Sequence, residues 1–210
     1  INDACFSPDN QIIAAASADF AIRLWNIKDA TSAYVYTNHS ASVMRVRFTS
    51  KEAWYSGNKF MLSTSLDGSC RIWDCNDFEK IPLYITDHLA VSTLMHKPLE
   101  FLCCCWHPNG KEFICGSNDK FARIYSIYYD DYNNLNWKCI AVLRGHEGEV
   151  QHVEYSKDGN IIITEDVKKV FLWVRYNNNY YLHSVIKRKS SVNICRLSCN
   201  SKFLIGSYSR

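Results

Sequence analysis

Residues 60–74, FMLSTSLDGSCRIWD, contain the pattern that decides the fold. An apolar run leads to Ser65, turns at Asp67 and Gly68, and resumes as far as Trp73. Because Asp-Gly readily adopts the backbone angles of a tight turn, this stretch predicts two short antiparallel strands joined as a hairpin. A hairpin alone requires neither a serine two residues before the aspartate nor a tryptophan six residues after it. These extra residues indicate that the pattern belongs to a repeat.

The same spacing of serine, aspartate and aromatic residue occurs in SADFAIRLWN at 17–26, SLDGSCRIWD at 65–74 and SNDKFARIYS at 117–126. The aromatic residues, with one further candidate, are separated by 48, 52 and 48 residues: Trp25, Trp73, Tyr125 and Trp173. An aromatic residue before a four-residue turn also recurs upstream, in FSPDN, WHPNG and YSKDG. Each unit therefore predicts four short strands, which make up one blade of a β-propeller.

These motifs resemble the WD-repeat family, in which a buried chain of hydrogen bonds links Asp, His, Ser or Thr, and Trp within a blade. Blade two has all four residue types, and the resemblance assigns this network to His39, Ser65, Asp67 and Trp73. It assigns partial networks in the other blades to Ser17, Asp19, Trp25, Ser117, Asp119, His146 and Trp173. Since a fully satisfied polar network makes its surroundings rigid, these residues are expected to hold structure.

The expected fold is all-β: about four WD-type blades and the start of a fifth, as part of a larger propeller of seven or eight blades. The blades are expected at about residues 1–37, 38–86, 87–144 and 145–186, and the fifth unit at 187–210. Three insertions lengthen the units, at residues 51–59, 86–100 and 128–138. Arg23, Arg71 and Arg123, each two residues before the aromatic position, are expected to be exposed on the third strands.

A narrower resemblance is carried by the runs IAAASADFAIRLW and HSAS and by the third unit, CCCWHPNGKEFICGSNDKFARIY. These are similar to the bromodomain-and-WD-repeat proteins. That resemblance implies association with chromatin, histones as partners and, for some members, a role as substrate receptor of a cullin-4 ubiquitin ligase. Docking to the ligase adaptor is associated with Trp-Asp-x-Arg, whereas this sequence has Trp25-Asn-Ile-Lys28 and Trp73-Asp-Cys-Asn76. The missing arginine argues against ligase membership.

Composition sets the broad class. Of 210 residues, 47% are apolar and 21% are charged, as in soluble globular proteins. A formal net charge of +3 is too small to indicate nucleic-acid binding by itself, and no run of about 18 apolar residues predicts a membrane span. The ten cysteines are scattered through strand-like runs, with Cys103, Cys104 and Cys105 in succession. This favours reduced core thiols and an intracellular location, in the cytosol or the nucleus. The resemblance to chromatin-associated proteins implies the nucleus before the cytoplasm.

Two chemical interpretations compete with the structural one. Cys103, Cys105 and His107 would share one face of a strand, but a structural zinc site normally needs four ligands, and core packing is favoured. Serine, histidine and aspartate could form a hydrolase triad, but the blade spacing already explains them. No enzyme activity, cofactor, metal or small-molecule substrate is expected.

The expected function is a non-catalytic scaffold for protein–protein interaction. Family resemblance places candidate partner-binding positions beside the structural aspartates and at the starts of first strands: Ser42, Met44, Leu66, Asn118, Glu149 and Gln151. A site for a basic peptide or histone tail would need an acidic cluster there, and the acids are scattered. The run Lys187, Arg188 and Lys189 is the candidate site for nucleic acid or an acidic partner, with a solvated loop as the simpler interpretation.

Overall fold

The computed structural model describes residues 1–86, 98–187, 192–198 and 204–208. The first sheet contains β1 (Asp3–Phe6), β2 (Ile12–Ala16), β3 (Ile22–Asn26) and β4 (Ser32–Tyr36). The second contains β5 (Val43–Phe48), β6 (Phe60–Ser65), β7 (Ser69–Asp74) and β8 (Leu83–Thr86), and helix α1 (Lys51–Tyr55) connects β5 to β6. The third contains β9 (Phe101–Trp106), β10 (Glu112–Ser117), β11 (Ala122–Tyr129) and β12 (Leu135–Leu143). The fourth contains β13 (His152–Tyr155), β14 (Ile161–Glu165), β15 (Lys169–Tyr176) and β16 (Asn179–Lys187), and a further pair consists of β17 (Val192–Leu197) and β18 (Leu204–Tyr208).

Each four-stranded sheet is an antiparallel meander, because strands that follow one another along the chain are also neighbours in the sheet. The first strands of successive sheets lie in contact: β1 with β5, β5 with β9, and β9 with β13. β13 also contacts β17. The sheets are therefore arranged as the blades of a β-propeller around the first strands, as the repeat predicted.

The hydrophobic core lies between neighbouring blades. Because both faces of a middle strand are covered, its buried residues run continuously instead of alternating, and all six residues of β6 are buried. Leu24 of blade one packs in one cluster with Val46 and Trp73 of blade two. Ile124 of blade three packs in the same way with Val153 of blade four. Each blade thus depends on its neighbour to bury its apolar face.

Turns and loops form two opposite faces. The upper face consists of residues 17–21, 37–42, 66–68, 98–100, 118–121, 144–151 and 166–168, which precede first strands or join second strands to third strands. The lower face consists of residues 7–11, 27–31, 49–59, 75–82, 107–111, 130–134, 156–160 and 177–178. On the upper face, Leu66 N donates to Ser42 O at 3.0 Å, and on the lower face Ile27 N donates to Gln11 O at 2.9 Å. Backbone hydrogen bonds thus tie the turns of each face together.

The predicted hairpin at residues 60–74 consists of β6 and β7, which pair from Phe60 with Asp74 to Thr64 with Cys70. At its turn, Gly68 has a φ of +77°. A Cβ at this position would lie 2.7 Å from the backbone oxygen of Leu99. Glycine is required here both by the left-handed backbone and by the close approach of the third blade.

The insertion at residues 51–59 contains helix α1 on the lower face. Ser50 caps this helix, since its Oγ accepts a backbone N–H of the first turn at 3.1 Å and donates to Pro108 O of blade three at 2.6 Å. Trp54 is 3% exposed, and its Nε1 donates to Asp9 of blade one at 3.2 Å. The helix therefore connects the lower-face turns of three blades, which the sequence did not predict.

The other insertions have different outcomes. Residues 128–138 are not a simple loop, because most of them extend β11 and β12. Of the insertion at 86–100, only residue 86 and residues 98–100 lie in the described ranges. Lys187, expected to begin the fifth unit, is the last residue of β16. No helix in the described ranges has the length and apolarity that crossing a membrane requires.

Candidate protein-interaction face and the networks beneath it

Blade two contains a chain of four hydrogen-bonded side chains. Trp73 Nε1 donates to Ser63 Oγ at 2.9 Å, and Ser63 Oγ lies 2.8 Å from His39 Nε2. His39 Nδ1 in turn lies 2.8 Å from Asp67 Oδ2. Because an ionised carboxylate can only accept, Nδ1 of the neutral ring carries the proton and Nε2 accepts from the serine. The donors therefore run in one direction, from indole through hydroxyl and imidazole to carboxylate.

The serine of this chain was predicted to be Ser65, and that assignment is wrong. Ser65 Oγ accepts from Asp67 N at 3.1 Å and donates to Ala41 O at 3.1 Å, so it holds the turn against the loop before β5. Ser63 lies two residues earlier on β6, and alternate residues of a strand share a face. The signal in the sequence is a hydroxyl ten residues before the tryptophan, a position outside the Ser-x-Asp motif.

The network sets the charge states of its titratable members. Burial lowers the pKa of His39, and this effect exceeds the opposing influence of Asp67, so the ring is neutral at pH 7. Burial alone would raise the pKa of Asp67, but hydrogen bonds from His39 and Ser69 outweigh it and hold the pKa below its usual range. Ser69 Oγ donates to Asp67 at 2.6 Å, and Ser40 N donates to it at 3.1 Å. The carboxylate thereby binds the upper-face turn to the preceding loop.

Blade four repeats the indole, hydroxyl and imidazole part of this chain, with threonine as the hydroxyl. Thr164 Oγ1 accepts from Trp173 Nε1 at 2.8 Å and lies 2.7 Å from His146 Nε2. Asp166 accepts two backbone N–H groups of its own turn, at 2.8 and 2.7 Å, and the N–H of Glu147 at 3.1 Å. Burial lowers the pKa of His146 to about 4, so this ring is neutral as well. The shorter turn of blade four therefore keeps the same connection between turn and loop.

In blade three an arginine pairs with the turn carboxylate. Arg123 forms two hydrogen bonds with Asp119, at 3.0 and 2.5 Å, and its NH1 also donates to Ser117 Oγ at 2.9 Å. The side chains of Arg123 and Asp119 are 5% and 8% exposed, so the expectation of an exposed arginine is wrong here. The four-residue spacing brings the guanidinium back over the turn, where it also lies 5.5 Å from the ring centre of Phe121. Tyr125, in the tryptophan position, is fully buried and stacks on Phe113 with ring centroids 5.2 Å apart.

Blade one has the same pair in an exposed form. Arg23 NH2 lies 2.7 Å from Asp19 Oδ2, with side-chain exposures of 36% and 52%. Ser17 Oγ accepts from Asp19 N at 3.4 Å, and Trp25 is partly buried on β3. Arg71 occupies the equivalent position in blade two, where its guanidinium lies 4.8 Å from the centre of a tyrosine ring of β8. An exposed ion pair such as that of blade one contributes little to stability.

The Ser-x-Asp turns also connect consecutive blades. Val43 N donates to Ser17 O at 3.1 Å, and Val150 N donates to Ser117 O at 3.0 Å. In the first case the serine carbonyl of blade one binds the first residue of β5, and in the second the serine carbonyl of blade three binds a residue two positions before β13. These bonds fix the backbone of the upper face and leave neighbouring side chains available to a partner.

Three of the candidate binding residues lie together on the upper face, where blades one and two meet. Ser42 and Leu66 are joined through their backbones, and both are partly exposed, as is Met44. Asn2 Nδ2 donates to Ser42 Oγ and to Val43 O, each at 2.8 Å, and lies 3.9 Å from Met44 Sδ. The group is of mixed polarity, with a hydroxyl, a thioether and an apolar side chain side by side.

Asn118 has a different environment. It is 7% exposed. Its Nδ2 donates to Pro98 O at 3.0 Å and to Glu100 Oε2 at 3.1 Å, while its Oδ1 accepts from Glu100 N at 3.1 Å. The amide is occupied in holding the loop before β9, so Asn118 supports the upper face from beneath.

Glu149 and Gln151 flank Val150 at the start of blade four, and both are exposed. Gln151 N donates to Glu165 O at 2.9 Å, which fixes its backbone. Because Val150 is bonded to the turn of blade three, the two side chains lie where blades three and four meet. Of the six candidate residues beside the turns and the first strands, these are the two that are exposed.

The basic run is only partly within the described residues. Lys187 is exposed and pairs in register with Lys169 of β15. Lys169 Nζ also binds the carboxylate of Glu147 on the upper face. Arg188 and Lys189 lie outside the described residues. The described part of this region therefore combines positive charges with a nearby acid.

Eight cysteines are free thiols: Cys5, Cys70, Cys75, Cys103, Cys104, Cys105, Cys115 and Cys139. Cys70 Sγ lies 3.2 Å from Cys115 Sγ between blades two and three, and Cys103 Sγ lies 3.4 Å from Val150 O. Burial raises the pKa of the Cys103 thiol, which keeps it protonated. His107 Nδ1 accepts a backbone N–H of its own turn at 3.0 Å. Within the described parts of the chain, no three His, Cys, Asp or Glu side chains form a group that could hold a metal ion.

Comparison with known proteins identifies the repeat. The model of the family described as WD domain, G-beta repeat matches residues 1–26, 30–74, 90–126 and 137–166. Periodic tryptophan protein 2 of Arabidopsis thaliana is 26% identical over 156 residues, covering 74% of this chain and 15% of that protein. Pre-mRNA-processing factor 19 homolog 2 of Arabidopsis thaliana is 27% identical over 171 residues, covering 80% and 29%. Transcription initiation factor TFIID subunit 5 of Caenorhabditis elegans is 20% identical over 169 residues, covering 80% and 22%.

This chain spans less than a third of the length of each of these relatives. The family match nevertheless extends over more than half of the chain, and each of its four segments includes at least the first two strands of one four-stranded sheet. Together with the hydrogen-bonded His, Ser or Thr, and Trp side chains of blades two and four, this match shows that the chain belongs to the WD-repeat family.

Proposed function

We propose that this chain is a non-catalytic scaffold that binds protein partners at its upper face. The observation that best supports the proposal is that the side chains of the catalytic type are hydrogen-bonded to one another inside the blade. His39, Ser63 and Asp67 are hydrogen-bonded to one another and to the buried indole, so the Ser63 hydroxyl is occupied within the blade. The corresponding carboxylate of blade four, Asp166, fixes the loop that carries Glu149. A preorganised surface of this kind loses little conformational entropy on binding.

The names of the relatives support a role in larger assemblies. One is a pre-mRNA-processing factor, and another is a subunit of a transcription initiation factor. Both names refer to processes of the nucleus, which supports a nuclear location as part of the proposal. Because this chain spans only part of each relative, the partners of the whole protein are likewise proposed and not assigned.

Two narrower hypotheses stay predictions. The first is a bromodomain-and-WD-repeat protein that binds histones on chromatin, and the second is a substrate receptor of a cullin-4 ubiquitin ligase. The names of the relatives given above support neither. Nucleic-acid binding through Lys187, Arg188 and Lys189 is the third alternative, and the acid beside Lys169 weakens it.

The test compares substitutions that introduce arginine on the upper face with one that introduces arginine on the lower face. The full-length protein is affinity-purified with its partners after nuclease treatment, and the bound proteins are quantified by mass spectrometry. The upper-face variant is Glu149→Arg combined with Gln151→Arg, both at exposed positions. The matched control is Glu79→Arg, an exposed acid on the lower face of blade two. We expect a defined set of proteins to be lost from the upper-face variant and retained by the control.

Each outcome distinguishes the hypotheses. Histones or a ligase adaptor within the lost set would favour the corresponding narrower role. Loss of the whole set on nuclease treatment of the unmodified protein would favour the basic run as the binding site. An identical set recovered with the upper-face variant would contradict the proposed function.

A further inference from the structure

The hairpin between β11 and β12 extends beyond the rest of its sheet. β10 begins at Glu112, which lies opposite Ser126 of β11. β11 continues past this point, and Tyr128 pairs with Asn136 and Tyr129 with Leu135. These residues, 128–136, form a two-stranded projecting ribbon at the lower face of blade three.

The projecting ribbon exposes an unusual number of aromatic side chains. Tyr128, Tyr129 and Tyr132 are 46%, 53% and 87% exposed. Tyr125, on the same strand, is fully buried. The three exposed rings add little to the core of the blade, whereas tyrosine provides a large contact area and a polar hydroxyl to a binding partner. Such a cluster at the tip of a projection indicates an interaction surface.

The tip of the ribbon has a fixed conformation. Asp130 Oδ1 accepts the backbone N–H groups of Tyr132 at 3.0 Å and Asn134 at 2.8 Å. Its Oδ2 accepts side-chain amides of Asn134 at 3.3 Å and Asn136 at 3.0 Å. At the base, the ring of Trp137 meets the edge of the buried tyrosine of β11 with centroids 5.6 Å apart. The exposed rings therefore lie on a preorganised frame, which lowers the entropic cost of binding.

The charge of the ribbon points to the chemistry of the partner. Residues 128–136 contain Asp130 and Asp131 and no lysine or arginine. Lys138 Nζ lies 6.0 Å from the ring centre of Tyr128, so a cation already contacts an aromatic face at the base of the ribbon. Arginine stacks on tyrosine rings and binds carboxylates with two parallel hydrogen bonds. Phosphate backbones would instead be repelled by the two aspartates.

We propose that the projecting ribbon is a docking site for an arginine-rich segment of another protein. Guanidinium groups of this segment stack on Tyr129 and Tyr132, and one of them binds the exposed carboxylate of Asp131. The site lies on the lower face, opposite the surface assigned above, and does not depend on the proposed function of the upper face.

The experiment measures binding of the full chain to a fluorescein-labelled peptide of alternating glycine and arginine by fluorescence anisotropy. A glycine–glutamate peptide of the same length is the probe for charge. Tyr129→Ser combined with Tyr132→Ser is expected to weaken binding of the arginine peptide roughly tenfold. Asp131→Asn is expected to weaken it roughly threefold and to reduce its dependence on salt.

The matched control is Tyr55→Ser on α1, where the tyrosine is 64% exposed on another part of the lower face. Its binding should equal that of the unmodified chain. Circular dichroism checks that each variant is folded. If the double tyrosine variant does not fold, Asp131→Asn alone tests the site. The proposal is overturned if the arginine peptide does not bind, if the ribbon variants bind it equally well, or if the glutamate peptide or a single-stranded RNA binds more tightly.

Discussion

The hydroxyl of Ser63 is the central member of the blade-two network, and its removal gives the sharpest test of that network. Ser63→Ala leaves the Nε1–H of Trp73 without an acceptor and Nε2 of His39 without a donor. Both side chains are at most 4% exposed, so water cannot replace the hydroxyl without a rearrangement. Since each of these two unsatisfied buried polar groups costs about 1–3 kcal/mol, the free energy of unfolding should fall by about 2–6 kcal/mol.

The assay is urea unfolding followed by far-ultraviolet circular dichroism. Ser63→Thr is the matched control, because it keeps the hydroxyl and reproduces the residue that blade four has at Thr164. It should retain most of the stability that the alanine variant loses. A double-mutant cycle with Trp73→Phe isolates the indole–hydroxyl bond, for which a coupling of about 0.5–3 kcal/mol is expected.

Three results would refute the reasoning. A loss below about 0.5 kcal/mol for Ser63→Ala would place it among ordinary surface substitutions. Equal losses for Ser63→Ala and Ser63→Thr would assign the effect to packing and not to the hydroxyl. A coupling indistinguishable from zero would mean that Trp73 does not depend on this serine.

Three further changes test other parts of the structure. His146→Gln should flatten the pH dependence of stability. The pKa of His146 is about 4 in the folded chain and about 6.5 in the unfolded chain, so the unfolded chain binds the proton first as the pH falls. The unmodified protein should therefore lose about 2 kcal/mol of stability between pH 7 and pH 5. Equal slopes of the urea midpoint against pH in both proteins would contradict this. Arg123→Met should lower the free energy of unfolding by about 3–5 kcal/mol, because it leaves a buried carboxylate without its counter-charge. Arg23→Met, at an exposed ion pair, should leave the urea midpoint nearly unchanged. Equal effects of the two substitutions would refute the difference in burial. Gly159→Ala would place a Cβ 2.2 Å from a histidine ring nitrogen, whereas Gly57→Ala, also at a positive φ, meets nothing within 4 Å. Gly159→Ala should therefore lower the melting temperature much further than Gly57→Ala. Similar decreases in melting temperature would argue against the close contact at Gly159.

The blade architecture could be predicted because its signals are local and repeated. A turn such as Asp67-Gly68 needs only neighbouring residues to specify it, and the recurrence of the aromatic position at 48 to 52 residues fixes the unit. The role of Ser63 could not be predicted in the same way. Ser63 and Ser65 are both buried hydroxyls on β6, and only the position of His39, brought in by a distant loop, decides which of them joins the chain.

The insertions were the least predictable parts, because they lie outside the repeat. Helix α1 has only five residues, too few to be stable alone. Its position depends on Pro108 and Asp9, which belong to other blades. The projecting ribbon likewise lacks the blade motif, and its order depends on Asp130, whose four hydrogen bonds become apparent only once the hairpin has formed.

The turn carboxylates of the blades are held in two different ways, and the difference bears on the upper face. In blade two, Asp67 is bound both by His39 and by the N–H of Ser40, so the carboxylate connects its turn to the loop before the blade. In blade three, Asp119 is bound by Arg123 from within the same hairpin. The buried amide of Asn118 holds residues 98–100, the described part of the preceding loop.

The same constraint on the upper face is thus met by different residues. In blade three an arginine neutralises the turn carboxylate and an amide holds residues 98–100, whereas blade two uses a histidine. Because this frame consists of backbone groups and buried side chains, the exposed side chains above it, such as Glu149 and Gln151, can vary at little cost to the fold. Variation at fixed backbone positions is what allows one rigid scaffold to be adapted to different protein partners.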